Sequence, residues 1–335
     1  MGGSFSSRAG LASRLALGLT IGLTLALLPA SPAAAAPFPE KPVRIVVPFP
    51  AGGSNDVIAR LVGAKLGEQW GQTVVIENRG GGGGNIGADA VARSAPDGTT
   101  LLLTAPGPLA INQALYAKLS FDPGKDFAPV ALIASVPIVL AVHPDVKAKT
   151  VGELVALAKA APGTMNFGSS GNGSTNHLAG ELFKARAGID IVHIPYRGAA
   201  PAMNDLIAGQ IQMMFDNMPA IRPQVIGGTI RGVAVAGAAR SSLFPDLPTM
   251  TEAGVADFEA SSWFGMVAPA ATPPEVLSQL TASVGKVLQD PDVVKRLAEI
   301  GAEPGALSGA AFGAFLRSET EKWGKVATSA GVKLD

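Results

Sequence analysis

A short apolar strand that runs through a glycine-rich turn into an amphipathic helix is the feature that most restricts how this chain can fold. In "VRIVVPFPAGGSNDVIARLVGAKL", residues Val43–Val47 predict a buried strand, and the apolar spacing from Val57 onwards predicts a helix. The same succession returns in "MNFGSSGNGSTNHLAGELF", residues Met165–Phe183. Continuous apolar strands that alternate with helices are typical of a parallel sheet covered on both faces. The sequence therefore predicts an α/β fold.

Strand-like runs and helical patterns alternate along the remainder of the chain, with glycine or proline at nearly every junction. The predicted strands are Val43–Val47, Thr73–Glu77, Thr100–Thr104, Phe127–Ile133, Ile138–His143, Met165–Gly168, Ile189–Ile194, Ile211–Phe215 and Gly232–Ala236. Thr150 and Glu153 form the capping-box pattern that opens a helix. Residues Pro273–Asp335 read as helical, with a break between two helices at Asp290-Pro291.

Two extended segments look like places where the chain crosses between lobes. One is "LIASVPIVLAVHP", Leu132–Pro144, which we expect to bend at Pro137, and the other is "FEASSWFGMVAP", Phe258–Pro269. If both segments cross, the first lobe is discontinuous and consists of residues 37–136 plus 262–335. Residues 137–261 then form the second lobe.

The N-terminal residues 1–36 are predicted to be a secretory signal peptide. Two arginines precede the apolar run Leu15–Leu28, and the following "ASPAAAAP" offers small residues for cleavage. The alternative is a membrane anchor, but the run is shorter than the about 20 residues that cross a bilayer. We expect cleavage near Ala35 or Ala36 and a mature protein in the bacterial periplasm.

The charge balance and the lack of cysteine exclude several classes of protein. The 335 residues include 26 basic and 26 acidic side chains and no cysteine. A chain without net charge or a basic run has no field that attracts nucleic acid, so no nucleic-acid partner is expected. Without cysteine there are no disulfides, thiolate metal sites or cysteine nucleophiles. We expect neither a cofactor nor a metal ion.

The first glycine-rich turn has the composition of an anion site. Gly52 and Gly53 allow a tight backbone turn, and Ser54, Asn55 or Asp56 can cap the helix that follows. The first turn of a helix carries unpaired N–H groups and a partial positive charge, which suit a phosphate or carboxylate. The alternative is a capped turn without a ligand. Asp56 is expected to cap the helix, because its negative charge would repel an anion.

The second glycine-rich turn repeats this composition in what the crossing argument makes the other lobe. It offers four hydroxyls and three glycine N–H groups, contributed by Ser169, Ser170, Ser174, Thr175, Gly168, Gly171 and Gly173. Two such turns in different lobes predict a cleft lined by donors that suits a small carboxylate. Asp216, at the end of another strand, could accept from a ligand hydroxyl, an ammonium or a water, or could serve as a cap or hinge contact.

Other motifs are weaker indications. Gly82-x-Gly84-x-x-Gly87 matches the dinucleotide fingerprint, but the next strand ends in Ala105 and Pro106 where that fingerprint needs an acidic residue. The three histidines lack metal-ligand spacing. Ser170 and His177 leave open an exported hydrolase as the alternative, although no orienting acid is evident.

These segments together resemble the Bug family, the extracytoplasmic solute-binding receptors of tripartite tricarboxylate transporters. The resemblance is carried by "VVPFPAGGSNDVIAR", "VIENRGGGGGNIGADAVARSAPDGTTLLL", "MNFGSSGNGSTNHLAGELF", "IVHIPYRGAAPAMNDLIAGQIQMMFDN" and "GVAVAGAARSSLFPDLPTMTEAGV". It implies a two-lobed periplasmic-binding-protein fold, a Venus flytrap of two doubly wound α/β lobes joined by crossover strands. It further implies a monomeric, non-enzymatic receptor that delivers a small carboxylate to membrane permease subunits, or alternatively to a sensor.

The resemblance also implies which residues hold the ligand. A carboxylate of a dicarboxylate, tricarboxylate, acidic amino acid or aromatic acid would lie between the two turns. The residues carried over are Phe49, Ala51, Gly52, Gly53 and Asp56 on one wall, Ser169, Ser170, Gly171, Ser174 and Thr175 on the other, and Asp216 deeper in the pocket. The segment Thr104–Leu115 lacks a threonine-histidine pair often seen in the family, and it is expected to line the distal end of the pocket.

Overall fold

The computed structural model describes residues 1–3, 38–329 and 331–334. The predicted signal peptide and its cleavage site lie outside the described residues, except for the first three. Among the helices of the described part, none is both long enough and apolar enough to cross a membrane.

The described residues from 38 onwards form an α/β structure of ten strands and ten helices. The strands are β1 Val43–Val47, β2 Val74–Asn78, β3 Thr100–Thr104, β4 Phe127–Val142, β5 Asn166–Ser169, β6 Val192–Pro195, β7 Met213–Asn217, β8 Arg231–Val235, β9 Ser261–Pro269 and β10 Glu303–Pro304. The helices are α1 Ser54–Trp70, α2 Asn85–Ala92, α3 Asn112–Leu115, α4 Val151–Ala160, α5 Thr175–Ala187, α6 Ala199–Ile207, α7 Met218–Ile226, α8 Pro274–Gln289, α9 Pro291–Glu299 and α10 Gly309–Ser329. A 3₁₀ turn at Gly82–Gly84 precedes α2, and a π-helical turn at Gly107–Ile111 precedes α3.

The strands follow one path, β2-β1-β3-β9-β4-β7-β5-β6, and both β8 and β10 pair with β4. Strands β1, β2 and β3 are parallel to one another, as are β5, β6 and β7. We call β1–β3 and β9 with their covering helices lobe 1, and β5–β8 with theirs lobe 2. The division of the chain at 37–136 plus 262–335 and 137–261 stays a prediction.

The two lobes share the long strand β4, which corrects one sequence prediction. Phe127–Ile133 and Ile138–His143 were predicted as two strands, but Phe127–Val142 is one strand of 16 residues. Pro137 does not interrupt it, because the pairing partner changes there: Pro137 is opposite Ser261 of β9, and Ile138 is opposite Asn217 of β7. The segment predicted as a second crossing contains β9, which pairs antiparallel with β4.

Each face of the sheet is covered by helices, as the continuous apolar strands predict. In lobe 1, residues of α1, α8 and α9 pack on one face, and residues of α10 and α2 pack on the other. In lobe 2, the residues of α4 and α5 lie on one face and those of α6 and α7 on the other. The sheet is therefore buried on both sides, and the strand ends are where polar groups reach the surface.

Two predicted helix boundaries are confirmed, whereas the side-chain cap predicted for α1 from Ser54, Asn55 or Asp56 is wrong, because the N-cap is Gly53. Thr150 and Glu153 make both hydrogen bonds of a capping box at the start of α4. Asp290 caps α9 by accepting from the N–H groups of Asp292 and Val293, at the break predicted between α8 and α9.

Candidate functional site

The first glycine-rich turn connects β1 to α1 at the carboxyl end of β1. Helix α1 begins at Ser54, and its N-cap residue, Gly53, supplies no side-chain cap. Ser54 is 2% exposed, and its Oγ has no hydrogen-bond partner in the described residues. The buried Oδ1 of Asn55 likewise has none there. An uncapped helix start with an idle hydroxyl is suited to receive an anion.

Asp56 braces this turn from within. Its Oδ2 accepts from the Gly52 N–H at 3.0 Å and from Arg60 Nε at 3.1 Å, and its Oδ1 lies 2.8 Å from an Arg60 terminal nitrogen. Burial alone would raise the pKa of Asp56, but hydrogen bonds from Arg60, Gly52 and Asn78 hold that pKa below its usual value. The carboxylate is thus charged and largely neutralised by Arg60, and direct contact between Asp56 and a ligand stays a prediction.

The other predicted residues of this wall differ in exposure. The Phe49 side chain is buried in the core of lobe 1, and its carbonyl accepts from Asn78 Nδ2 at 3.1 Å. Ala51 and Gly52 are exposed, whereas Gly53 is buried. Backbone groups of the turn, more than its side chains, are therefore available to a ligand.

The second glycine-rich turn connects β5 to α5 in lobe 2. Ser174 is the N-cap of α5, and its hydroxyl accepts from the His177 N–H at 3.2 Å. Ser169 is fully buried, and its Oγ lies 2.7 Å from His193 Nε2 and accepts from the Gly171 N–H at 3.1 Å. Both hydroxyls were predicted to face a ligand, but these bonds hold the turn together.

The remaining two hydroxyls of this wall are placed differently. Thr175 Oγ1 lies 3.3 Å from Ser262 Oγ on strand β9 of lobe 1. Ser170 is partly exposed, and in the described part of the chain its hydroxyl makes no hydrogen bond with protein. Ser170 is thus the predicted hydroxyl best placed to serve a ligand.

Asp216 lies at the carboxyl end of β7 and is fully buried. Its Oδ1 accepts from Asn176 Nδ2 and from the Asn217 N–H, both at 2.8 Å. The other oxygen, Oδ2, has no partner in the described residues, and neither has the buried Oδ1 of Asn217. Burial raises the pKa of Asp216 to about 6, against the two hydrogen bonds that lower it. Near neutral pH the group can therefore accept from a donor or hold a proton.

The two lobes contact each other where the first glycine-rich turn meets the start of α6. A Cβ at Gly198, just before α6, would lie 2.6 Å from Pro50 Cδ, so this approach requires glycine. A Cβ at Gly53 would lie 3.7 Å from Ala199 Cβ, which places the starts of α1 and α6 opposite each other. Neither α1 nor α6 has a side-chain cap. Two uncapped helix starts from different lobes therefore converge on one place.

A second set of contacts closes the cleft beside the π-helical turn. The Tyr116 hydroxyl donates to the Asn172 carbonyl at 3.4 Å, and the Asn172 carbonyl also lies against Gly83. Asn112 donates to the Gly83 carbonyl at 3.2 Å, and its Oδ1 lies against Gly173 without a hydrogen-bond partner in the described residues. The lobes are therefore in contact on two sides of the turns, as in a closed cleft.

Some of these residues were missed from the sequence. Tyr116, Asn172 and Ala199 were not singled out, although Asn172 lies within the second turn and Ala199 follows Gly198 at a helix start. The signal for the α6 start was the Gly-Ala-Ala-Pro succession, because proline is favoured in the first turn of a helix. The π-helical turn had no local signal, yet such turns are frequent at functional sites.

Concave surfaces also lie away from the turns. A cavity of about 500 Å³ surrounds His143 at the opposite end of the lobe 2 strands, and one of about 670 Å³ lies behind the crossing strands near Pro137. The closed cleft is the stronger candidate, because the uncapped starts of α1 and α6 converge there.

The structure argues against the Ser170–His177 hydrolase. His177 is 4% exposed, and its Nδ1 accepts from the Gly173 N–H at 3.3 Å. Its ring stacks on His193, and burial, followed by the charge of Lys184, lowers its pKa to about 4. No hydrogen bond joins it to Ser170 in the described residues, so His177 is not placed as a catalytic base.

The glycine pattern that resembles the dinucleotide fingerprint serves the contact between the lobes, where the Asn172 carbonyl lies against Gly83. The glycine pattern at Gly82–Gly87 forms the 3₁₀ turn and the start of α2, where Gly87 packs against Pro48 and the Arg79 carbonyl.

The two-lobed fold and its cleft are those of a solute-binding receptor. The sequence profile of the family described as "Tripartite tricarboxylate transporter family receptor" matches residues 58–332. BugT of Bordetella pertussis is 39% identical over 306 residues, which are 91% of this chain and 94% of BugT. The chain therefore belongs to this receptor family, which includes the Bug proteins.

Solved structures agree with this assignment. Rpa4515 of R. palustris, solved with adipate, is 40% identical with a TM-score of 0.87, covering 88% of this chain and 99% of that one. The periplasmic binding protein BugD is 35% identical with a TM-score of 0.85 over 88% and 99% of the two chains. MatC of Rhodopseudomonas palustris, with bound malate, is 32% identical with a TM-score of 0.83 over 86% and 99%.

Proposed function

We propose that this chain captures a small organic carboxylate in the periplasm and delivers it to the membrane subunits of a tripartite transporter. The observation that carries the proposal is the convergence of two uncapped helix starts, α1 and α6, from opposite lobes. Receptors of this family are periplasmic, and two structural neighbours hold adipate and malate. In this proposal, 1–36 is the signal peptide, cleaved near Ala35 or Ala36.

The ligand carboxylate would lie between the two glycine-rich turns. Backbone N–H groups near Gly53 and Ser170 would donate to it, together with the idle hydroxyl of Ser54. Charge-assisted hydrogen bonds contribute about 1.5–3 kcal/mol each. Three or four of them, less the cost of closure, are compatible with micromolar affinity, which corresponds to about −8 kcal/mol.

Asp216 would meet the part of the ligand that donates a hydrogen bond. Its unpaired Oδ2 is buried, and a ligand hydroxyl, ammonium or protonated carboxyl would provide the missing partner. This arrangement favours hydroxy acids such as malate over ligands that end in a second ionised carboxylate at that position.

A thermal-shift screen tests the proposal. Purified mature protein, unfolded and refolded to remove bound solute, is screened against adipate, malate, succinate, citrate, glutamate and nicotinate. We expect one or a few of these acids to raise the melting temperature by several degrees. If none of them stabilises the refolded protein, the proposal fails.

A matched pair of variants locates the site. Gly53→Val places methyl groups against Ala199 in the closed cleft, whereas Gly152→Val adds them on α4, where no atom lies within 4 Å. We expect the first variant alone to lose at least tenfold in affinity for the stabilising acid. Pull-down of the permease subunits by the liganded protein then distinguishes a transporter partner from a sensor.

A further inference from the structure

Three aromatic rings are stacked directly beneath the second glycine-rich turn. The His193 ring of β6 lies 4.9 Å from the Phe167 ring and 4.0 Å from the His177 ring, with interplanar angles of 27° and 17°. Phe167 comes from β5 and His177 from α5, the two elements that the turn connects. The stack therefore packs both of them against strand β6, which carries His193.

Each histidine also holds one glycine of the turn. His193 Nε2 lies 2.7 Å from Ser169 Oγ, which accepts from the Gly171 N–H at 3.1 Å. His177 Nδ1 accepts from the Gly173 N–H at 3.3 Å. Gly171 and Gly173 have positive φ angles of 121° and 79°, so the turn takes a conformation that glycine alone adopts readily.

Along the second turn, backbone N–H groups that are bonded to protein alternate with backbone N–H groups that the turn could offer to a ligand. In the described residues, the N–H groups of Ser170 and Asn172 have no protein acceptor, whereas those of Gly171 and Gly173 are fixed toward Ser169 and His177. The turn therefore has two amides that are held by protein groups and two that, within the described residues, are not.

His177 must be uncharged to do this, whereas His193 Nε2 can donate to Ser169 Oγ, which in turn donates to the Gly171 carbonyl at 3.3 Å. His177 can accept from the Gly173 N–H only when Nδ1 carries no proton. The charged groups that face the pair are Lys184, which disfavours protonation, and Glu181, whose Oε1 lies 4.0 Å from His177 Nε2. Burial is the largest cause that keeps both rings neutral, with the pKa of His193 lowered to about 3.

We propose that His193 and His177 are positioning residues for ligand binding, which preset the second turn by hydrogen bonds through Ser169 and Gly173. The proposal rests on the proposed function above, because it assigns the histidines to the lobe 2 wall of that carboxylate site. Neither histidine touches the ligand in this arrangement; each acts through the backbone of the turn.

Two substitutions of His193 separate the hydrogen bond from the stacking. His193→Phe keeps an aromatic ring between Phe167 and His177 but removes the nitrogen that meets Ser169. His193→Gln keeps an amide near that position and removes the ring. His143→Phe, a histidine distant from the turn at the other end of the lobe 2 strands, is the control.

The first measurement is amide hydrogen exchange at Gly171 and Gly173, which needs no ligand. We expect exchange at Gly171 to rise about tenfold in His193→Phe, the effect of one lost hydrogen bond of about 1.4 kcal/mol. His193→Gln should restore the protection despite a lower melting temperature. Unchanged exchange in His193→Phe would overturn the proposal.

The second measurement is the Kd for the acid that stabilises the wild type most, with adipate and malate as the first probes. We expect His193→Phe to weaken binding about tenfold, and His193→Gln and His143→Phe to bind within about threefold of wild type. If affinity follows melting temperature across the variants instead, the histidines are merely structural and the proposal is wrong. If the wild type binds no acid, the proposed function fails, while the exchange result still decides whether the histidines set the turn.

Discussion

The two glycine-rich turns have similar sequences and similar positions, but each is held in a different way. The lobe 1 turn is held by an ion pair, in which the Asp56 carboxylate bonds to Gly52 N–H and to Arg60, whose side chain is 54% exposed. The lobe 2 turn is held by neutral groups, the Ser169 hydroxyl, the buried ring of His177 and the half-buried ring of His193. One strand–turn–helix pattern can thus be held in two ways. We call the contacts of Asp56 with Gly52 and Arg60 the ionic brace, and the hydrogen bonds of Ser169, His177 and His193 the neutral brace.

The comparison shows how a turn can offer N–H groups to an anion without becoming unstable when empty. Beside the ionic brace, the negative charge of Asp56 is offset by Arg60 on the same helix, so the net field at the start of α1 stays close to that of the helix itself. In lobe 2 the groups that hold the turn are uncharged, so no second charge is needed to offset them. The two walls should therefore respond to different perturbations, lobe 2 to acid and lobe 1 to loss of its ion pair and to salt.

The largest expected effect is acid destabilisation through lobe 2. The pKa values of His177 and His193 are lowered to about 4 and about 3, so between pH 6.5 and 4 these two rings bind more protons in the unfolded chain than in the folded one. Stability should therefore fall as pH falls through this window, by at least about 3 kcal/mol. Urea unfolding at pH 7 and pH 4.5 measures it.

The histidine origin of this effect is checked with a variant. A protein carrying both His177→Gln and His193→Phe has no titrating ring at these positions, so its stability should change much less between the two pH values. An unaltered pH slope in that variant would show that other groups cause the acid sensitivity.

Substitution of Asp216 should give the next largest effect, with the opposite sign. Because burial raises the pKa of Asp216 to about 6, the folded state binds the extra proton between pH 3.8 and 6, and ionisation above pH 6 opposes folding. Asp216→Asn should raise the unfolding free energy at pH 7.5 by roughly 2 kcal/mol and leave it nearly unchanged at pH 4. Equal gains at both pH values would mean that charge burial is not the cause.

The strands show which parts of the fold the sequence could and could not predict. The strand ends were predictable, because apolar runs placed β1 and β3 at their observed bounds and located both turns. The continuity of β4 was not predictable, because proline is a local signal for interruption and the exchange of partners at Pro137 is a tertiary event.

Side-chain direction was the second limit. A serine in a glycine-rich turn suggests a ligand contact, and the sequence contains no sign that Ser169 faces inward. That orientation depends on His193, 24 residues further along the chain, and on the parallel pairing of β5 with β6. Backbone positions were therefore more predictable than the roles of the hydroxyls.

Removing the ionic brace should have a moderate effect on lobe 1. Asp56→Asn leaves Arg60 without its partner and weakens the bond to the Gly52 N–H, so we expect a loss of about 1–2 kcal/mol in urea unfolding at pH 7. Asp89→Asn is the matched control, since Asp89 and Arg93 are also an i,i+4 pair but, in the described residues, the Asp89 carboxylate accepts from no backbone N–H, and exposed pairs contribute about 0.5 kcal/mol or less. Similar losses in the two variants would show that the brace stabilises no more than an ordinary surface pair.

Salt should produce the smallest difference between the turns, because it screens the ion pair of lobe 1 and leaves the neutral brace of lobe 2 unaffected. The Debye length falls from about 10 Å at 0.1 M to about 3 Å at 1 M, and the exposed Arg60 side chain lets ions approach the pair. The difference in unfolding free energy between wild type and Asp56→Asn should therefore shrink by a few tenths of a kcal/mol when NaCl is raised from 0.1 to 1 M. The difference between wild type and His193→Phe should stay constant, since no charge is removed there at pH 7. Comparing these two differences cancels the general effect of salt on folding, and a parallel change in both would show that the two turns are not held by different forces.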